Sequence, residues 1–164
     1  MKRATVCFPL TSSKILLGKK KERFGIGKWN GFGGKIQEGE TPEEAAVREL
    51  REESGLVAQT ADLEKVAILK FYFNDEPKFL MHSYVVRVWH GKPQESDEMM
   101  PQWHSLSDIP YNKMWKADSI WIGKVLNGEK VAANVYFKID GEPGKDQETF
   151  DRIEYDDSLW QLIV

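Results

Sequence analysis

The chain has 164 residues, a net charge of -3, 41% hydrophobic and 30% charged residues. This composition excludes a disordered chain, a collagen or a fibre, and the absence of a basic excess argues against a partner made of polymeric nucleic acid. No apolar run approaches the roughly 18 to 20 residues a bilayer span needs, and Met1-Lys2-Arg3 leads into an alternating segment rather than a signal peptide. The expectation is a soluble, cytoplasmic monomer with no membrane partner, folded as a single domain over residues 1–164.

Apolar side chains alternate from Ala4 to Leu10, which predicts a strand, and Lys14 to Lys19 predicts a second. Cys7 lies in the first strand with no cysteine to pair with, and packing is its expected role. The segment Trp29-Asn30-Gly31-Phe32-Gly33-Gly34 is glycine-rich, as suits backbone that must approach another group closely. A helix is predicted over Pro42 to Ser54, with Thr41 as N-cap, Glu44 closing a capping box and Gly55 just past the end. Its inward face is read as Ala46, Val47, Leu50 and Ser54. Lys65 to Phe73 and Phe79 to Trp89 form a predicted antiparallel pair, joined through Asn74-Asp75-Glu76-Pro77. Further strands are expected near Gln102 to Leu106, Val131 to Ile139 and Glu148 to Tyr155. A second helix is expected from about Ser119 to Asn127, with Ile122, Val125 and Leu126 inward and a stop at Gly128. The order predicts an α/β/α sandwich around a mixed, largely antiparallel sheet.

The chemistry concentrates between Gly34 and Leu56. Gly34 is followed after five residues by Glu40, and after seven more by Arg48-Glu49-Leu50, then Glu52-Glu53 and Gly55-Leu56. Helical spacing throws Glu49, Glu52 and Glu53 to one side as a carboxylate cluster, read as lying on an exposed face. Carboxylates that repel one another attract cations, and all-oxygen ligation suits Mg²⁺, with Mn²⁺ as a substitute. Arg48 can grip a neighbouring carboxylate in a bidentate fashion and fix its rotamer, while Glu40 either joins the metal or positions the loop. The alternative is a solvated helix face whose glutamates pair with Arg48 and Arg51; Gly34, Glu40 and Gly55 at fixed spacing argue against it.

This is the complete Nudix box, and the chain resembles the Nudix hydrolase family, more closely its MutT-related oxidised purine nucleoside triphosphatases. The likeness continues at Glu95-Ser96-Asp97-Glu98-Met99, Ile109-Pro110, Met114-Trp115 and Asp118-Ser119 through Trp121. The resemblance implies metal-dependent hydrolysis of a nucleotide such as 8-oxo-dGTP to a monophosphate and pyrophosphate, a nucleotide-pool sanitation activity that protects DNA. The metal site it implies is Gly34, Glu49, Glu52, Glu53 and Glu98. Glu53, Glu52, Glu98 and Arg48 would be catalytic, with either Glu53 or Glu98 taking the proton from water. Glu98 read by itself is also an ordinary loop charge beside Asp97.

The same resemblance lines a base pocket with Thr5, Phe24, Asn30, Phe71, Phe73, Trp115, Asp118 and Trp121, with Lys20 nearby. Each has a plainer reading. Phe71 and Phe73 share a strand face and could be core, Asp118 could cap the second helix, and Asn30 could serve a turn. Lys20 reads first as a solvated member of Lys19-Lys20-Lys21, and His82, His90 and His104, which lack metal-ligand spacing, as structural. Where relatives place two adjacent acids, this chain has Ala117-Asp118. Asp118, without an acidic neighbour, is expected to be ionised and to accept from a guanine-type edge. Other Nudix substrates, ADP-ribose or dinucleoside polyphosphates, and a non-catalytic nucleotide-sensing role are the competing readings.

Overall fold

The protein is described as a computed structural model over residues 1–22, 25–139 and 148–162. Its elements are β1 (Lys2–Pro9), β2 (Lys14–Lys20), β3 (Trp29–Asn30), β4 (Phe32–Lys35), α1 (Pro42–Ser54), β5 (Leu63–Phe73), β6 (Glu76–Val86), β7 (Met99–Ser105), α2 (Asp118–Leu126), β8 (Val131–Ile139) and β9 (Glu148–Tyr155). A six-stranded sheet runs β4-β1-β6-β5-β8-β9, and β2 pairs with β3 and β7 in a smaller one. Within the large sheet β1 is parallel to β6 and β5 to β8, and the other pairings are antiparallel, so the expected mixed sheet is present.

Strand alternation sorts the core into two layers. Cys7, Phe32, Tyr84 and Val86 face α1 and pack with its Ala46 and Leu50, while Val6, Phe8, Leu69 and Phe71 face Trp121 and Ile122 of α2. Burial pushes the Cys7 thiol up to about 12, so it is an inert packing residue.

Helix α1 has the predicted limits. The Thr41 hydroxyl accepts from Glu44 N–H, the Glu44 carboxylate accepts from Thr41 N–H, and Gly55 closes the helix at φ 79° with its N–H on Arg51 O. Its buried face differs from the expected one: Ala45 and Glu53 turn inward beside Ala46, Leu50 and Ser54, while Val47 stays half-exposed on the outer side beside Arg51. The small Ala45–Ala46 pair lets the helix axis lie close over β4 and β1, which rotates Val47 off the contact.

Two other boundaries move for local reasons. The β5–β6 connection is a two-residue turn, Asn74-Asp75 at φ 49° and 65°, the twist that continues an antiparallel pair, so Glu76 and Pro77 belong to β6. Asn74 also exchanges both amide hydrogen bonds with Ile139. At the far end β6 stops at Val86 rather than Trp89, and His90 instead pairs with Val57 beyond α1.

The histidines are structural in different ways. His104 meets the Trp29 ring edge-on at 4.6 Å. His82 is buried on the α1 face, with Nδ1 accepting from Lys65 Nζ at 2.7 Å. Its burial, with the Lys65 and Arg3 charges, pulls the imidazole down to about 4, against a weaker opposing pull from Glu43. The unfolded chain would protonate it near 6.5, so its contribution to stability is full above that pH and is lost as pH falls toward 4. Relative to His82→Gln, the native protein is expected to lose about 2 kcal/mol of unfolding free energy between pH 7 and pH 5. Urea melts of both proteins at the two pH values measure that difference; parallel pH profiles would show that His82 is already charged in the fold.

Candidate active site

The box helix brings its carboxylates to β4 through backbone, not through solvent. Glu53 Oε1 accepts from Gly33 N–H at 2.7 Å, and the side chain is only 3% exposed, contrary to the exposed face expected for it. A β-carbon on Gly33 would fall 1.8 Å from Thr5 O, so glycine is obligatory for β4 to lie this close to β1. At Gly34 an added β-carbon would meet Glu49 Oε1 at 2.6 Å, which places the Gly34 backbone against that carboxylate.

Arg48 organises the remaining acids. Its Nε and one terminal nitrogen donate to the two Glu40 oxygens at 2.7 and 3.0 Å. The other terminal nitrogen donates to Glu49 at 2.9 Å and Glu52 at 3.2 Å, and Lys35 O accepts a further bond at 3.1 Å. The bidentate partner is therefore Glu40, whose carboxylate also accepts from Gln37 N–H, so Glu40 fixes the loop before α1.

Glu98 comes from the bend before β7, which is tied to the end of α1. Ser96 Oγ donates to Glu53 O, Met99 N–H donates to Ser96 Oγ, and Lys21 N–H donates to Glu98 O. Glu98 is exposed, and its charge raises the proton affinity of both Glu49 and Glu53. Burial lifts Glu53 to about 8, Glu49 and Glu98 add to the rise, and the Gly33 bond and Lys20 oppose it. Burial also raises Glu49, against Arg48.

Among the described residues no three acids or imidazoles are gathered closely enough to hold a metal ion as the side chains stand. Arg48 occupies oxygens of both Glu49 and Glu52. The donor set nevertheless suits a hard divalent ion: all ligands are oxygen, and the mutual repulsion felt by Glu49, Glu53 and Glu98 is what a cation relieves.

Beside this cluster lies a cavity of about 190 Å³. The pocket residues Asn30, Phe71, Phe73, Trp115, Asp118 and Trp121 all line it. Phe71 and Phe79 stack at 4.6 Å, Phe73 meets Phe79 and Phe137 edge-on at 6.1 and 5.8 Å, and Trp115 meets Phe137 at 6.3 Å. Phe71 is thus core and cavity wall at once, 8% exposed.

Lys20 lines the cavity and its charge also reaches Glu53, so it links the two halves of the site instead of serving only as a solvated lysine. Thr5 is a correction: it shares its strand face with Cys7, toward α1, and its buried hydroxyl is not part of the cavity lining. Phe24 lies outside the described residues. Lys28, Phe79, Met81 and Phe137 line the cavity and were not singled out from sequence; Phe79 and Met81 alternate on one β6 face, a signal that was available.

Asp118 does not cap α2. Ala117 is the N-cap residue, and Asp118, the first helical residue, accepts from Trp115 N–H at 3.1 Å and from Trp121 Nε1–H at 3.0 Å. It is 6% exposed, and burial lifts it to about 7 against both bonds and the Lys28 charge. The expectation that Ala117 leaves it simply ionised is thus corrected, because burial supplies the pull toward the neutral form.

Comparison with known proteins places this arrangement. The NUDIX domain profile matches residues 1–124. The oxidized purine nucleoside triphosphate hydrolase of Danio rerio is 42% identical over 154 residues, 93% of this chain and 96% of its own length. The protein of that name in Mus musculus is 44% identical over 135 residues, 82% of this chain and 85% of its own. A mutator MutT protein from Bacillus halodurans has the same fold, with a TM-score of 0.73 at 21% identity over 95% of this chain and 98% of that one. The chain belongs to the Nudix family, whose hydrolases generally use divalent metal ions.

Replacing Glu53 tests the cluster. In Glu53→Gln the amide oxygen can still accept from Gly33 N–H, while a charge that resists burial is gone. Without metal the variant is therefore expected to melt no lower than the native protein near pH 7.5, yet with Mg²⁺ present to lose at least ~10²-fold in kcat. Near-native activity of the folded variant would remove Glu53 from the chemistry.

Proposed function

We propose that this protein hydrolyses oxidised purine nucleoside triphosphates, 8-oxo-dGTP among them, to the monophosphate and pyrophosphate with Mg²⁺, and so cleans the nucleotide pool that supplies DNA synthesis. The observation that carries the reading is the adjacency of an aromatic cavity holding polar Asn30 and Asp118 to the Glu49, Glu53 and Glu98 cluster, with Lys20 between them. The similarity to the Danio rerio and Mus musculus proteins supports it. ADP-ribose and dinucleoside polyphosphates share the diphosphate, but the narrow, largely apolar cavity favours one base at the end of a short polyphosphate.

Glu49, Glu52, Glu53 and Glu98, with the Gly34 backbone, would hold the divalent ion. When bound, it supplies neutralisation of phosphate charge and acidifies water. The base would stack among Phe71, Phe73, Trp115 and Trp121 while Asn30 and Asp118 meet its edge. Lys20, reaching both halves, would steady the phosphate next to the base. Glu53, whose Oε1 is engaged by Gly33 N–H, keeps Oε2 to receive a proton from water, and Glu98 is the other acid able to do so. Arg48 is a positioning residue that fixes Glu40, Glu49 and Glu52.

A panel of 8-oxo-dGTP, 2-hydroxy-dATP, dGTP, ADP-ribose and a dinucleoside polyphosphate, assayed with Mg²⁺, with Mn²⁺ and with chelator, tests the reading. Oxidised purine triphosphates are expected to give the highest kcat/KM, with activity abolished by chelator. Faster turnover of ADP-ribose would overturn the assignment. Water is expected to attack the β-phosphorus with the nucleoside monophosphate leaving, so hydrolysis in ¹⁸O-water should label pyrophosphate. Label in the monophosphate would mean attack at the α-phosphorus.

A further inference from the structure

The cavity contains a cation that sequence reasoning passed over. Lys28 and Asn30 stand two residues apart where the chain enters β3, and both line the cavity while Trp29 between them goes into the core. The Lys28 ammonium sits 4.8 Å from the centre of the Trp115 ring and close enough to Asp118 for its charge to act on that carboxyl. Among the described residues it makes no ion pair and no side-chain hydrogen bond, so its three N–H groups remain available.

The backbone holds it in place. Lys28 N–H donates to Gly25 O, Lys28 O accepts from Lys20 N–H, and Gly25 and Gly27 complete the turn at φ 83°. Asn30 contributes in the same sense: its Oδ1 is taken by Gly31 N–H at 2.8 Å, which leaves the Nδ2 amide to donate. The β3 side of the cavity therefore offers Lys28, which can only donate, beside an Asn30 amide whose Nδ2 is free to donate. Asp118, on the opposite element, lies near neutrality in proton affinity and can meet either a donor or an acceptor. Discrimination between purines then falls to β3.

We propose that Lys28 is a specificity-determining residue, whose ammonium donates to a carbonyl oxygen of the bound purine and so selects 6-oxo over 6-amino bases. This deepens the function proposed above and rests on it. A 6-amino group turned toward Lys28 and Asn30 Nδ2 would set donor against donor inside the cavity. A 6-oxo group would receive one charge-assisted bond. The ammonium rests over the Trp115 ring, and a bound base would draw it from this weak contact into a hydrogen bond.

8-oxo-dGTP and 8-oxo-dATP share the C8 carbonyl and differ at C6, at N1 and in the C2 amine. Steady-state kinetics of native protein, Lys28→Met and Lys28→Arg on both therefore tests the proposal together with 8-oxo-dITP, which keeps the 6-oxo group without the amine and is expected to follow 8-oxo-dGTP. Lys28→Met is expected to lower kcat/KM for 8-oxo-dGTP at least ~10-fold, chiefly through KM, with less than ~3-fold change for 8-oxo-dATP. Lys28→Arg, which keeps the charge and donors, is expected to restore most of the loss. Calorimetric titration with 8-oxo-dGMP in the absence of metal should show the same order of affinities. Equal losses on both substrates would make Lys28 a phosphate or packing residue, and no loss would leave it outside recognition; either overturns the proposal. If the native protein turns over neither nucleotide, the functional assignment fails first, and Lys28 with it.

Discussion

The site depends on a single hydrogen bond between backbone and a buried carboxylate. Gly33 N–H holds Glu53 Oε1 at 2.7 Å, and this contact fixes α1 against β4 at the point where the acids gather. A carboxylate only 3% exposed is expensive to keep charged, and one neutral donor does not offset the loss of water, which is why Glu53 rises to about 8. A divalent cation beside Glu53 would displace its proton and supply a counter-charge to the carboxylate. Gly33 makes this contact possible by having no side chain where Thr5 O lies, and Arg48 offsets the repulsion among the neighbouring acids by donating to Glu40, Glu49 and Glu52.

The local code was legible where it is written locally. Thr41, Pro42, Glu44 and Gly55 define α1 end to end because each acts through its own backbone neighbours. The box spacing likewise identified the acids, since helical periodicity alone brings Glu49 and Glu53 to one side. What sequence could not yield was depth. Glu53 was read as exposed because helical spacing says which residues share a face, and only the docking of α1 on β4 says how far that face is covered. Val47 was misplaced for the same reason.

The aromatic cavity is less legible because it is assembled from β2, β3, β5, β6, β8 and α2, far apart in sequence. Family resemblance supplied most of its aromatic residues. It did not supply Lys28, which looks like any turn lysine until the Trp115 ring is found under it, and it assigned Thr5 to a wall that strand alternation turns toward α1. Asp118 carries a comparable lesson. A missing acidic neighbour suggests a charged carboxylate, yet burial raises it to about 7 without one, against the bonds from Trp121 and Trp115.

The proposed function divides labour between the aromatic cavity, which would hold the base, and the α1 carboxylates, which would act on the phosphates. Calorimetric titration of 8-oxo-dGMP into native protein, Trp115→Ala and Glu53→Gln without metal tests it most directly. The account predicts that Trp115→Ala weakens binding at least ~10-fold, since stacking on one aromatic contributes about 1 to 3 kcal/mol, while Glu53→Gln binds within ~3-fold of native. Loss of affinity in Glu53→Gln with none in Trp115→Ala would contradict it and would place the base outside the cavity.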